Sequence, residues 1–75
     1  MVNAYCLIST APGMTMEILQ KVKAIDAIKL SDSVAGEFDI VTRIEVGSLK
    51  ELSRIVFGEI RVMPGVMSTM TLIVF

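Results

Sequence analysis

The chain has no histidine, no tryptophan, one cysteine and two prolines among its 75 residues. Without histidine no Ser-His or Cys-His nucleophile pair can be built, and without a cysteine pair or a His/Cys cluster there is no ligand set for a structural metal. A glycine-rich phosphate loop is also missing. Neither an enzyme nor a cofactor is expected. The lone Cys6 cannot close an intramolecular disulfide, and Met1 leads into a short β-like run without a charged leader, so a cytoplasmic location is expected. Seven basic residues against eight acidic ones give a net charge of -1, too little field to hold a phosphate backbone, so direct binding of nucleic acid is not expected. Asn3, Ser9, Lys29 and Arg43 break every apolar run well short of the roughly 20 residues that cross a bilayer. No membrane partner is expected either.

What the chain has in excess is apolar surface, with 53% hydrophobic residues against 20% charged. A chain of this size buries only roughly 60% of its unfolded surface by itself. So much apolar side chain on so small a body implies self-association.

Val2 to Ser9 reads as a strand closed by Ala11-Pro12-Gly13. Met14, Ile18, Val22 and Ile25 then fall on one helical stripe, with Glu17 and Lys21 as a favourable i,i+4 pair and Met16 off the stripe. Ile28 to Ala35 has the content of a second strand, Gly36-Glu37 turns the chain, and Phe38 to Val46 alternates as a third. There Phe38, Ile40, Thr42, Ile44 and Val46 form the set expected against the helices. Ser48 with Glu51 makes a capping box that starts a second helix. Leu49, Leu52, Val56, Ile60 and Met63 line its apolar stripe, and Pro64-Gly65 ends it. Ile55 and Val62, off that stripe, form a narrow apolar strip expected to touch a neighbouring dimer. Gly58, opposite the stripe, is read as room for a close neighbour. Val66 to Phe75 completes the chain as a strand.

Residues 1–75 are thus expected to form one α+β domain, a ferredoxin-like βαββαβ sandwich. It carries a four-stranded antiparallel sheet with both helices on one face, an alpha-beta plait of the kind that forms dimers. The first and last strands are apolar on both parities, so the sheet face away from the helices needs a cover as well. A second copy of the chain, related by a two-fold axis, is the simplest one.

Among candidate functional residues, Cys6 reads as an inert core thiol and Tyr5 as an interface residue. The most informative stretch is Ala35-Gly36-Glu37-Phe38-Asp39. It can be a plain hairpin turn with Asp39 bonding local amides, or it can offer backbone N–H and C=O groups together with an acidic side chain to a free amino acid. Thr69 and Thr71 could supply further hydroxyl contacts.

Gly36-Glu37-Phe38-Asp39-Ile40, Leu49 to Ile60, Met63-Pro64-Gly65-Val66 and Thr69-Met70-Thr71 occur in the order and spacing of one module. The chain resembles the effector-binding (RAM) domain of the Lrp/AsnC, or feast/famine, transcription regulators. The resemblance spans essentially the whole chain, including Pro12-Gly13. Since nothing precedes the first strand, it is the stand-alone form, lacking the family's helix-turn-helix, that the sequence resembles. This implies homodimers formed through the sheets and further assembly to octamers or decamers. It implies an amino-acid effector held between dimers near Gly36, Glu37, Phe38 and Asp39, with Thr69 and Thr71. Any influence on transcription would pass through co-assembly with a full-length Lrp/AsnC regulator. Two other functions compete: a structural co-assembly subunit that binds no ligand, and a small ferredoxin-like enzyme using Tyr5, Glu37 or Asp39 as acid or base.

Overall fold

The computed structural model describes all 75 residues. Its elements are β1 (Val2–Thr10), α1 (Thr15–Lys23), β2 (Ile28–Ser33), β3 (Ile40–Val46), α2 (Leu49–Ile55) continuing into a π-helical turn (Val56–Ile60), and β4 (Val66–Ile73). The strands form one antiparallel sheet in the order β2-β3-β1-β4, the expected ferredoxin-like arrangement.

The alternation that marked the third strand is what builds the core. Ile40, Thr42, Ile44 and Val46 are buried, as are Ala4, Cys6 and Ile8 on β1, against Ile18, Leu19 and Val22 of α1 and Leu52, Ile55, Val56 and Ile60 of the second helical segment. Thr42 is the one buried polar residue, and its hydroxyl donates to the Cys6 carbonyl at 3.0 Å. That bond removes the penalty of an unpaired polar group in the core.

The capping box forms with a small shift. Ser48 Oγ accepts from the Glu51 amide at 3.1 Å, while Glu51 Oε2 accepts from the amide of Gly47 rather than that of Ser48. In α1 the Glu17–Lys21 pair is present at 3.4 Å. The helix ends at Lys23, two residues before Ile25, because the amides of Ala24 and Ile25 turn back to Lys21 and Val22 in a tighter i→i−3 turn.

Three expectations are corrected. The strip proposed for Ile55 and Val62 does not exist, since Ile55 is 2% exposed and Val62 65%. The Arg61 amide bonds the Val56 carbonyl, an i→i−5 bond at 2.9 Å, and this wider turn swings Ile55 and Ile60 onto one face. Leu49, placed on the core stripe, stands 58% exposed in the first helical turn. The β2–β3 connection is also longer than the two-residue turn expected. It runs from Val34 to Asp39 and is closed by the Val34 amide on the Asp39 carbonyl at 2.8 Å, which leaves Phe38 half-buried outside the core.

Gly58 lies in the π turn with only Arg54 Cγ near a would-be Cβ, at 3.9 Å. Within one chain it leaves room that nothing fills. Gly58→Ala is therefore expected to stabilise the isolated chain by about 0.5–1 kcal/mol, read from the midpoint of urea unfolding. A loss of stability that appears only in the assembled state would mean that another copy approaches that face.

Candidate functional site

The residues picked out from the sequence fall in two places. Gly36, Glu37, Phe38 and Asp39 form the end of the β2–β3 connection, where Gly36 takes a φ of +149° that disfavours a side chain. Asp39 is tied to β1. Its amide donates to the Ile8 carbonyl at 2.9 Å, and its Oδ2 accepts from the Thr10 amide at 2.8 Å. The carboxylate thus bonds an amide 29 residues away rather than the turn itself, and one of its oxygens is already engaged. The Thr10 hydroxyl in turn meets that of Thr15, at the start of α1, at 2.7 Å.

Thr69 and Thr71 lie on β4, paired with Ile8 and Cys6 of β1 and half-buried on the helix side. They face a groove of about 380 Å³ between β4 and α2, whose apolar wall includes Leu49, Val56, Phe57 and Ile73. Ser53 and Arg61 complete its polar rim. The Arg61 guanidinium stands 5.0 Å from the centroid of the Phe57 ring, within cation–π range. None of residues 36–39 lines this groove. A single chain therefore does not gather the six candidates into one cavity. The sequence reading missed Arg61 and Phe57, although their spacing of four on one helical segment was a signal.

Beneath the groove, Thr71 Oγ1 lies 4.0 Å from Cys6 Sγ. Burial pushes the Cys6 thiol above its ordinary range, and the contact with Thr71 only partly offsets this. The thiol is thus protonated at neutral pH, in keeping with a core role.

The face of the sheet away from the helices presents Tyr5 and Leu7 of β1, Val41 and Arg43 of β3, Leu30 and Asp32 of β2, and Met70 and Leu72 of β4. Leu30, Met70 and Leu72 are exposed, while Tyr5, Leu7 and Val41 are half-buried. No helix of the chain covers this face, and no helix is long and apolar enough to cross a membrane.

The fold and its two candidate regions define a ferredoxin-like α+β domain with one layer of helices, one bare sheet face and a small polar-rimmed groove at its β4 edge. The chain matches the Lrp/AsnC ligand binding domain over residues 3–75 and belongs to that family. It superposes on the crystal structure of FFRP-DM1 with a TM-score of 0.97 at 35% identity, each chain covered completely. A hypothetical protein from Pyrococcus horikoshii matches with a TM-score of 0.94 at 35% identity, over 100% of this chain and 90% of that one. Escherichia coli AsnC has the same fold, with a TM-score of 0.93 at 21% identity, and there the chain spans 50% of its length. No curated protein matches the chain. The family is one of ligand-binding domains of transcription regulators, as the resemblance in the sequence implied.

Proposed function

We propose that this chain is an amino-acid-binding regulatory module, without catalytic activity, that works in the cytoplasm through its state of assembly. The observation that carries the reading is the bare sheet face, apolar at Leu7, Val41, Met70 and Leu72 on a domain that already belongs to a ligand-binding family. Two copies packed through these faces would bury what the helices leave open. Further contacts would extend such dimers to octamers or decamers, or join them to a full-length Lrp/AsnC regulator.

The effector would sit between copies, because the two halves of the candidate site are apart in one chain. Gly36, Glu37, Phe38 and Asp39 of one copy would supply backbone groups and an acceptor for an ammonium. Thr69, Thr71 and the Arg61 guanidinium of another would meet the carboxylate, beside the apolar wall of the groove. A ligand that bridges copies binds one assembly better than another, and that difference is what makes it a regulator.

A thermal-shift screen against the twenty amino acids, followed by light scattering, tests the reading. At about 100 times its Kd a true effector stabilises by about 2.7 kcal/mol, roughly 10–20 °C in a domain of this size. Thr69→Val should abolish that shift, and so should Asp39→Asn, which keeps an oxygen for the Thr10 amide while removing the charge. If no amino acid stabilises the protein at millimolar concentration, the module is a structural co-assembly subunit. The prior engagement of the Asp39 carboxylate with Thr10 favours that second reading.

A further inference from the structure

The bare face is not apolar throughout. At one end, Asn3 lies opposite Glu45 and Tyr5 opposite Arg43 across β1 and β3, and Leu30 of β2 flanks Arg43 on its other side. Two side-chain atoms in this corner, Arg43 Nε and Asn3 Oδ1, are buried and have no hydrogen-bond partner. Glu45 of the same chain is the ion-pair partner of Arg43, with Oε2 at 3.7 Å from Nε, too long for a hydrogen bond, and the two side chains are 39% and 31% exposed. The guanidinium carbon lies 5.9 Å from the centroid of the Tyr5 ring, which lays part of the side chain along the sheet.

A guanidinium has five N–H donors and no acceptor. Covering this corner with an apolar partner would desolvate the Arg43–Glu45 ion pair of the chain and leave the guanidinium donors without a hydrogen-bond acceptor, a costly arrangement in an interface. A partner that brings a further carboxylate to Arg43 removes that cost. A second copy does so: it carries Glu45 on the same strand, two residues from Arg43 and on the same side of the sheet, and its guanidinium can donate to the first copy's Glu45 in return. A two-fold axis repeats every contact in reverse, so one complementary pair serves both copies.

We propose that Arg43 and Glu45 form a reciprocal cross-subunit ion pair at the edge of the sheet-to-sheet interface, and that this pair selects a second copy of this chain and fixes how the two sheets are aligned. The inference rests on the sheet-to-sheet packing proposed above and adds to it the residues that set specificity. Leu7, Met70 and Leu72 supply apolar area that any greasy surface would match. The Arg43–Glu45 pair supplies the discrimination, because a partner lacking the charges in this order desolvates each chain's ion pair without adding hydrogen bonds to it.

Charge exchange tests it. Arg43→Glu and Glu45→Arg are prepared separately, checked for an unchanged far-UV spectrum, and examined by sedimentation velocity alone and mixed in equal amounts. Each variant alone sets like charges against each other twice, and its dimer dissociation constant should rise by roughly 100-fold or more. The mixture should form a one-to-one heterodimer, and the double variant Arg43→Glu/Glu45→Arg should dimerise within about tenfold of the parent. Single variants that dimerise like the parent overturn the proposal, and so do impaired variants that neither mixing nor the double exchange restores. Leu7→Glu separates the two levels of the argument. If it disrupts the dimer while the charge variants do not, the ion pair fails and the packing stands. If it leaves the dimer intact, the packing itself is wrong.

Discussion

Leu7→Glu should yield a folded monomer, with the dimer dissociation constant raised by about 1,000-fold or more. Leu7 sits mid-way along β1, between Val41 of β3 and Met70 of β4, and faces away from the helices. In a free chain a glutamate there can extend into water, and every core contact made by Ala4, Cys6 and Ile8 on the opposite side of the strand is kept. In a dimer packed through this face both copies' carboxylates would be buried among apolar groups with no cation beside them, a loss of at least about 3–5 kcal/mol. At 1.4 kcal/mol per tenfold, this gives the expected change in affinity. Sedimentation equilibrium and circular dichroism together measure it. A dimer of unchanged affinity would move the interface elsewhere, with the groove between β4 and α2 the next surface to consider.

Gly65→Ala should cost about 2–5 kcal/mol of folding stability, enough to threaten a domain whose total is of the order of 5–15 kcal/mol. Two independent penalties meet at this residue. Its φ is +96°, which a side chain resists by about 1–2 kcal/mol. A Cβ there would also lie 2.9 Å from Met14 Cε, 3.2 Å from Met14 Cβ and 3.1 Å from Ile18 Cδ1. Met14 Cε is the end of a flexible side chain and can move aside, but Met14 Cβ is held by the start of α1. Overpacking of this kind adds about 1–3 kcal/mol. The Gly65 carbonyl also accepts from the Ala11 amide at 2.7 Å, which anchors the start of β4 to the end of β1. Urea denaturation of the parent and the variant measures the difference. A loss below 1 kcal/mol would mean that the chain between Pro64 and Val66 can relax away from α1.

The elements that the sequence alone revealed are those specified by local chemistry. The alternation of Ile40, Thr42, Ile44 and Val46, the Ser48–Glu51 cap, the Glu17–Lys21 pair and the stop at Pro64-Gly65 each depend on neighbours within a few residues. All but the last are present in the structure, where the second helical segment ends at Ile60, short of Pro64. The errors arose where a distant group decided the outcome. The β2–β3 connection is widened by bonds from Asp39 to Ile8 and Thr10 of β1, which local turn preferences cannot reveal. Ile55 was misplaced because the count of 3.6 residues per turn fails across a π turn, and no residue in Val56-Phe57-Gly58-Glu59-Ile60 announces one. Leu49 was drawn into the core because its spacing to Leu52 and Val56 is helical, yet at the helix start it walls the groove beside β4 and stays exposed. In the candidate site, residue types were legible but their separation was not. Thr69 and Thr71 were read from the sequence as possible partners of the hairpin, whereas β1 runs between them and it, with Thr69 paired to Ile8 on one side and Asp39 bonded to Ile8 on the other.

The Asp39 node also determines how freely the candidate binding loop can move. Three hydrogen bonds meet at this residue: its carbonyl accepts from the Val34 amide, its amide donates to the Ile8 carbonyl and its carboxylate accepts from the Thr10 amide. They pin both ends of the connection, so the segment free to fluctuate shrinks to residues 35–38. Backbone amides there should exchange with solvent quickly, while those of Val34, Asp39 and Thr10 exchange only when the sheet end opens. The loop is a short flap on a rigid frame, and closing it over a small molecule would cost the entropy of four residues rather than that of a whole hairpin.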